Sequence, residues 1–116
     1  MSQIKVEEQI GGTIVHLKGQ FIGGDETEEL KNLVIKLSGE KKSKLIISLE
    51  KVTYLNSTAL GVLISAHASF AKRGGKILLC CLSKSIENIF MITKLTLVFE
   101  ITETLEEAIK LMNNEK

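Results

Sequence analysis

Leu55-Asn56-Ser57-Thr58-Ala59-Leu60-Gly61 joins two patterns of different period. Before it, Leu45-Ile46-Ile47-Ser48-Leu49 is short and almost wholly apolar, which suits a central strand covered on both faces. After it, Thr58 to about Arg73 reads as a helix, and Gly74-Gly75 stops it. A strand therefore feeds a turn, and a hydroxyl falls at a helix start. Asn56 and Ser57 are both residue types that cap helices, and either fits that role. Unbonded backbone N–H groups and the positive end of the helix dipole lie at such a start, where an added phosphate is tolerated.

Upstream, Ile4, Val6, Glu8 and Ile10 alternate with Lys5, Glu7 and Gln9, which predicts a half-buried strand. Gly11-Gly12 reads as a hairpin turn, Thr13 to Lys18 as its antiparallel partner, and Gly19 to Gly24 as a loop. Asp25, with Glu28 three residues on, predicts a capping box, and Leu30, Leu33, Val34 and Leu37 form one helical stripe. Downstream, Ile77 to Cys81 is a continuous apolar strand. A short helix carrying Ile86, Ile89, Phe90 and Thr93 follows, with Ser83 or Ser85 as cap. Leu97 to Ile101 reads as a last strand. Thr104 and Glu107 form a second capping box, ahead of the stripe Leu105, Ala108, Ile109 and Met112.

The order β-β-α-β-α-β-α-β-α predicts an α/β fold: a mixed, mostly parallel sheet of about five strands with four helices. The expected core includes Leu33, Val34, Leu37, Ile46, Leu49, Leu63, Leu78, Ile89, Ile109 and Met112. Residues 1–116 fit one domain. Loops after the carboxyl ends of parallel strands gather along one edge of such a sheet. Here they are Gly19–Gly24, Val52–Ser57, Leu82–Ser85 and Thr102–Thr104, which gathers Ser57 with Gly23, Gly24 and Ser83.

Charge is nearly balanced, 15 basic residues against 14 acidic for a net of +1, which argues against nucleic acid as a partner. Lys41, Lys42 and Lys44 are the one basic cluster and fit a solvated loop. The start, Met1 to Glu8, is polar and alternating and does not read as a signal peptide, and no apolar run reaches the roughly 18 residues of a membrane span. The expected compartment is the cytoplasm, with no membrane insertion. Adjacent Cys80 and Cys81 should point to opposite faces of their strand, as free thiols without metal. His16 and His67 are isolated along the chain.

Catalytic signatures are lacking. No His or acid neighbours Ser57 in sequence, and no Gly-x-Ser-x-Gly elbow surrounds it, so a hydrolase is poorly supported. No Gly-x-x-x-x-Gly-Lys loop or metal-ligand cluster is present, and no cofactor is expected.

Residues 55–61 resemble the Asp-Ser-Ser/Thr-Gly-Leu-Gly signature of STAS domains, the family of bacterial anti-sigma-factor antagonists. The likeness extends to element order, length, the Gly after the second strand, the Gly-Gly after the second helix and the short third helix. Two positions depart from it. Asn56 stands where the family has Asp, keeping a capping oxygen and losing the charge. Ala59 stands where the family has Gly. The resemblance implies a non-enzymatic module that binds an anti-sigma factor which is also a serine kinase. Phosphorylation at Ser57, with Thr58 as fallback acceptor, would separate the pair, and a metal-dependent phosphatase would reset it by a transient encounter. The implied partner-binding residues are Gly23, Gly24, Asn56, Ser57, Thr58, Leu60 and Ser83. The resemblance also extends to STAS subunits of lipid-transport ABC systems and of sensory complexes. In those, the same helix start is a constitutive docking surface and Ser57 merely a cap.

Overall fold

A computed structural model describes residues 3–39 and 43–114. Its elements run β1 (Ile4–Gln9), β2 (Gly12–Phe21), α1 (Asp25–Ser38), β3 (Lys44–Leu55), α2 (Ser57–Lys72), β4 (Lys76–Cys80), α3 (Lys84–Ile92), a 3-10 turn (Leu95–Leu97), β5 (Glu100–Thr102) and α4 (Leu105–Asn114). The sheet is five-stranded in the order β1-β2-β3-β4-β5. β1 pairs antiparallel with β2 and every later pair is parallel. The expected mixed α/β sheet with four helices is therefore the observed one.

Spatial order equal to chain order has a geometric consequence. Right-handed crossovers that always advance one way lie on one side of the sheet. Accordingly α1, α2 and α3 share the larger core, where Leu30, Val34, Leu63, Phe70, Ile86 and Phe90 meet Val15, Leu45, Ile47 and Leu79. The far side is left to α4, whose Ala108 and Met112 cover Ile14, Ile46, Leu78 and Cys80. β3 and β4 are thus buried on both faces, which is why their sequences are continuously apolar. Of the expected core, Val34, Ile46, Leu49, Leu63, Leu78 and Met112 are buried, while Leu33, Leu37, Ile89 and Ile109 are partly buried and pack on its margins.

Several boundaries differ from expectation. The hairpin turns at Ile10-Gly11, with Gln9 opposite Gly12, so Ile10 is 93% exposed rather than part of β1. Val6, on the edge strand β1, is exposed as well. β2 runs on to Phe21, fully buried, through register shifts around Leu17 and Gly19. Gly19, at φ 84, serves an irregular strand and not a loop, which shrinks the connection to Ile22–Gly24. β3 continues through Val52 to Leu55, and the expected Val52–Ser57 loop reduces to Asn56. The last strand starts at Glu100, and Leu97 lies in the 3-10 turn, 83% exposed.

The polar details also depart. Lys44 opens β3 and donates from Nζ to the Met112 carbonyl at 3.0 Å, while Lys41 and Lys42 lie outside the described residues. His16 Nε2 meets Glu7 Oε1 at 2.9 Å, and the His67 ring packs edge-on to Phe99 at 5.3 Å, so neither histidine is isolated in space. Cys80 and Cys81 are free thiols, as expected, but they do not diverge. β4 ends at Cys80, and Cys81 takes φ 65, which breaks the strand alternation. Its side chain packs on the same α4-side cluster that contains Cys80.

Candidate functional site

The site is the carboxyl edge of the sheet where β2 and β3 end side by side. The Asn56 N–H donates to the Phe21 carbonyl at 3.0 Å, which ties the end of β3 to the end of β2. Asn56 has extended backbone (φ −92, ψ −178) and is the N-cap of α2. Its Oδ1 accepts from the Ala59 N–H at 3.0 Å, and its carbonyl accepts from the Leu60 N–H at 3.0 Å. The cap is thus Asn56, and Ser57 is the first helical residue. Ser57 and Thr58 are exposed. Their hydroxyls and backbone N–H groups make no hydrogen bond among the described residues.

Charge distinguishes this helix start. α1 carries Asp25, Glu26 and Glu28 in its first turn, α3 carries Glu87, and α4 carries Glu106 and Glu107. α2 carries no acidic side chain there. Its two open N–H groups and its positive dipole end are therefore left uncompensated by any carboxylate in that turn.

The Ile22–Gly24 loop forms the neighbouring wall. A Cβ added to Gly23 would meet the Thr58 Cβ at 3.6 Å and Asn56 Nδ2 at 3.7 Å, so loop and helix start touch. Gly23 has φ 88, which side chains disfavour. Gly24, not Asp25, is the N-cap of α1, and it supplies no side chain. The expected Asp25/Glu28 box is replaced by Glu26, whose Oε2 accepts from the Ile22 N–H (2.7 Å), the Gly24 N–H (3.1 Å) and Thr27 Oγ1 (2.8 Å). Thr27 Oγ1 in turn accepts from the Gly23 N–H at 2.9 Å. The Ile22 bond foremost, then Thr27, holds the Glu26 carboxyl down at about 2. Glu26 and Thr27 escaped the sequence reading. Their signal was a loop with three N–H groups to satisfy beside a first turn carrying Asp25, Glu26 and Glu28.

Gly23, Gly24, Asn56, Ser57 and Thr58 are therefore brought together. Leu60 turns inward and packs against the larger core. Ser83 caps the next helix, accepting from the Ile86 N–H at 3.4 Å and facing Ser85 Oγ at 3.3 Å; it has no hydrogen bond to the Asn56–Thr58 group. From Gly23 and Thr58 a groove of about 400 Å³ runs between α1 and α2, past Val34, Gly61, Val62 and Ser65. No group of three or more His, Cys, Asp or Glu side chains among the described residues could hold a metal ion. No helix among them is long and apolar enough to cross a membrane.

Residues 3–108 match the family model of the STAS domain. Solved structures give the same fold at low identity. An anti-sigma-factor antagonist (STAS) domain protein from Planctomyces limnophilus is 19% identical over 96% of this chain and 98% of its own, with a TM-score of 0.82. The anti-sigma factor antagonist SpoIIAA in its unphosphorylated form is 16% identical over 97% and 99%, with a TM-score of 0.77. The Bacillus cell fate determinant SpoIIAA in the phosphorylated form is 17% identical over 92% and 96%, with a TM-score of 0.72. A sulfate transporter family protein from Wolinella succinogenes is 18% identical over 90% and 87%, with a TM-score of 0.79.

Proposed function

The chain belongs to the STAS domain family, and from that premise we propose that it is an anti-sigma-factor antagonist, a non-enzymatic switch that Ser57 phosphorylation turns off. In this reading residues 1–116 act as one domain that captures an anti-sigma factor with serine-kinase activity. Gly23, Gly24, Asn56, Ser57 and Thr58 form the contact surface, with Ser83 at its margin, Leu60 supporting it from the core side and the groove between α1 and α2 extending it. A metal-dependent phosphatase restores the unmodified form. The similarity to SpoIIAA, solved both with and without phosphate, supports the reading.

One observation carries it: Ser57 is an exposed, unbonded hydroxyl on the first turn of a helix that has no acid there. A phosphate adds nearly two negative charges and several acceptor oxygens. At this helix start it is stabilised by about 0.3–1 kcal/mol. Against a closed partner surface the same group carries a desolvation penalty of several kcal/mol. Each roughly 1.4 kcal/mol is tenfold in affinity, so one phosphate separates the pair without unfolding either member.

The test supplies the cognate kinase and ATP, maps the phosphosite by mass spectrometry and measures partner affinity. Phosphate is expected on Ser57, or on Thr58 when Ser57 is replaced. Ser57→Ala should bind like the parent, and Ser57→Asp should bind at least about tenfold more weakly. A second reading, a constitutive subunit of a lipid-transport ABC system or sensory complex, is favoured by Asn56 in place of the family Asp. Equal binding by Ser57→Asp and parent, with no phosphate on Ser57 or Thr58, would select it.

A further inference from the structure

We propose that Cys80 and Cys81 form one two-sulfur site that binds a trivalent arsenical through both thiols. Neighbouring residues in a regular strand cannot share a ligand, because their side chains leave opposite faces. Here the left-handed backbone of Cys81 turns its side chain onto the face that Cys80 occupies, against the α4-side cluster. Both cysteine side chains therefore pack on one cluster, one residue apart in the chain.

The surroundings decide what such a pair can take. Ile14, Ile46, Leu78, Ala108 and Met112 enclose Cys80, which is fully buried. Burial first, then the Cys81 thiol, pushes the Cys80 thiol up to about 12. A ligand that leaves negative charge on the sulfurs is therefore disfavoured. Zinc is disfavoured twice, since it needs four ligands and no third His, Cys, Asp or Glu joins the pair among the described residues. An organoarsenous acid, R–As(OH)2, meets both conditions. Two As–O bonds break and two As–S bonds form. Each thiol proton leaves with one hydroxyl as water, arsenic stays trivalent, and the product is neutral. Cys81, half-buried at the carboxyl edge of the sheet, offers the entry point, and Cys80 closes the ring.

Phenylarsine oxide added to the native full chain tests the site by intact mass and thiol counting. The expected result is one phenylarsenic per chain with both thiols blocked. It should resist excess 2-mercaptoethanol and be removed by 2,3-dimercaptopropanol. Cys81→Ser, at a half-buried position that leaves the Cys80 packing in place, should lose at least tenfold in affinity while keeping the parent's circular dichroism. Zinc should not displace the adduct. An adduct that forms only after urea unfolding, that survives Cys81→Ser, or that yields to the monothiol would overturn the assignment.

Discussion

Replacing Asn56 by Ala removes the acceptor of the Ala59 N–H and should lower stability by about 1 kcal/mol, read as a shift of the urea midpoint. Asn56→Asp keeps the oxygen and adds charge to a first turn that has none, so it should raise stability by about 0.3–1 kcal/mol. Sequence alone left the cap open between Asn56 and Ser57, because both side chains can accept from a helix N–H. The extended backbone at Asn56 settles the choice, and no residue preference encodes it. Glu26 makes the pH-dependent case. Its carboxyl lies at about 2 against the ordinary 4.5, because it accepts from the Ile22 N–H and its neighbours. Ionised Glu26 therefore stabilises the fold above pH 4.5, and that contribution fades as pH falls from 4.5 to about 2. Glu26→Gln should unfold at lower urea than the parent at pH 7, with the two midpoints converging towards pH 2.

At the scale of elements, α4 is the sensitive part. It covers its side of the sheet alone, and Met112 is 1% exposed against Ile14, Ile46 and Leu78. Met112→Ala should cost about 2–5 kcal/mol. Leu97→Ser, at an 83% exposed position, should stay within about 0.5 kcal/mol of the parent. The same contrast explains which elements could be read from the chain. The helices were legible because each has one buried stripe, and the Thr104/Glu107 box forms as expected, with Oγ1 and Oε1 each accepting at 3.1 Å. The ends of β2 and β3 were not. Past Leu49, β3 buries Val52 and Leu55 while Glu50, Lys51, Thr53 and Tyr54 face solvent, a spacing of three that matches neither period two nor a continuous apolar run. Leu97 misled for the opposite reason, since its apolar side chain is exposed and offers no clue to a turn.

At the scale of the whole molecule, the two cores are separated by a single sheet that belongs to both. Val15 and Ile47 face one core, Ile14 and Ile46 the other, on the same two strands. Neither core can be lost while the other persists, so urea unfolding should be one transition. Far-UV circular dichroism and the emission of Tyr54, the one tyrosine in a chain without tryptophan, should trace coincident curves. The mostly parallel sheet was legible because strict alternation of strands and helices implies right-handed crossovers, whereas the strand order was not, since several orders satisfy that rule. The side on which α4 packs was not, since nothing after the last strand dictates a crossover. Strand order that copies chain order also bears on synthesis at the ribosome. Each parallel strand emerges next to a neighbour already in place, so the sheet can grow as the chain lengthens. Ile14, Ile46 and Leu78 meanwhile wait for α4, which is translated after every strand it covers. The nascent chain thus displays one sticky stripe until that helix clears the exit tunnel, and this is the interval in which a holding chaperone would have something to grip.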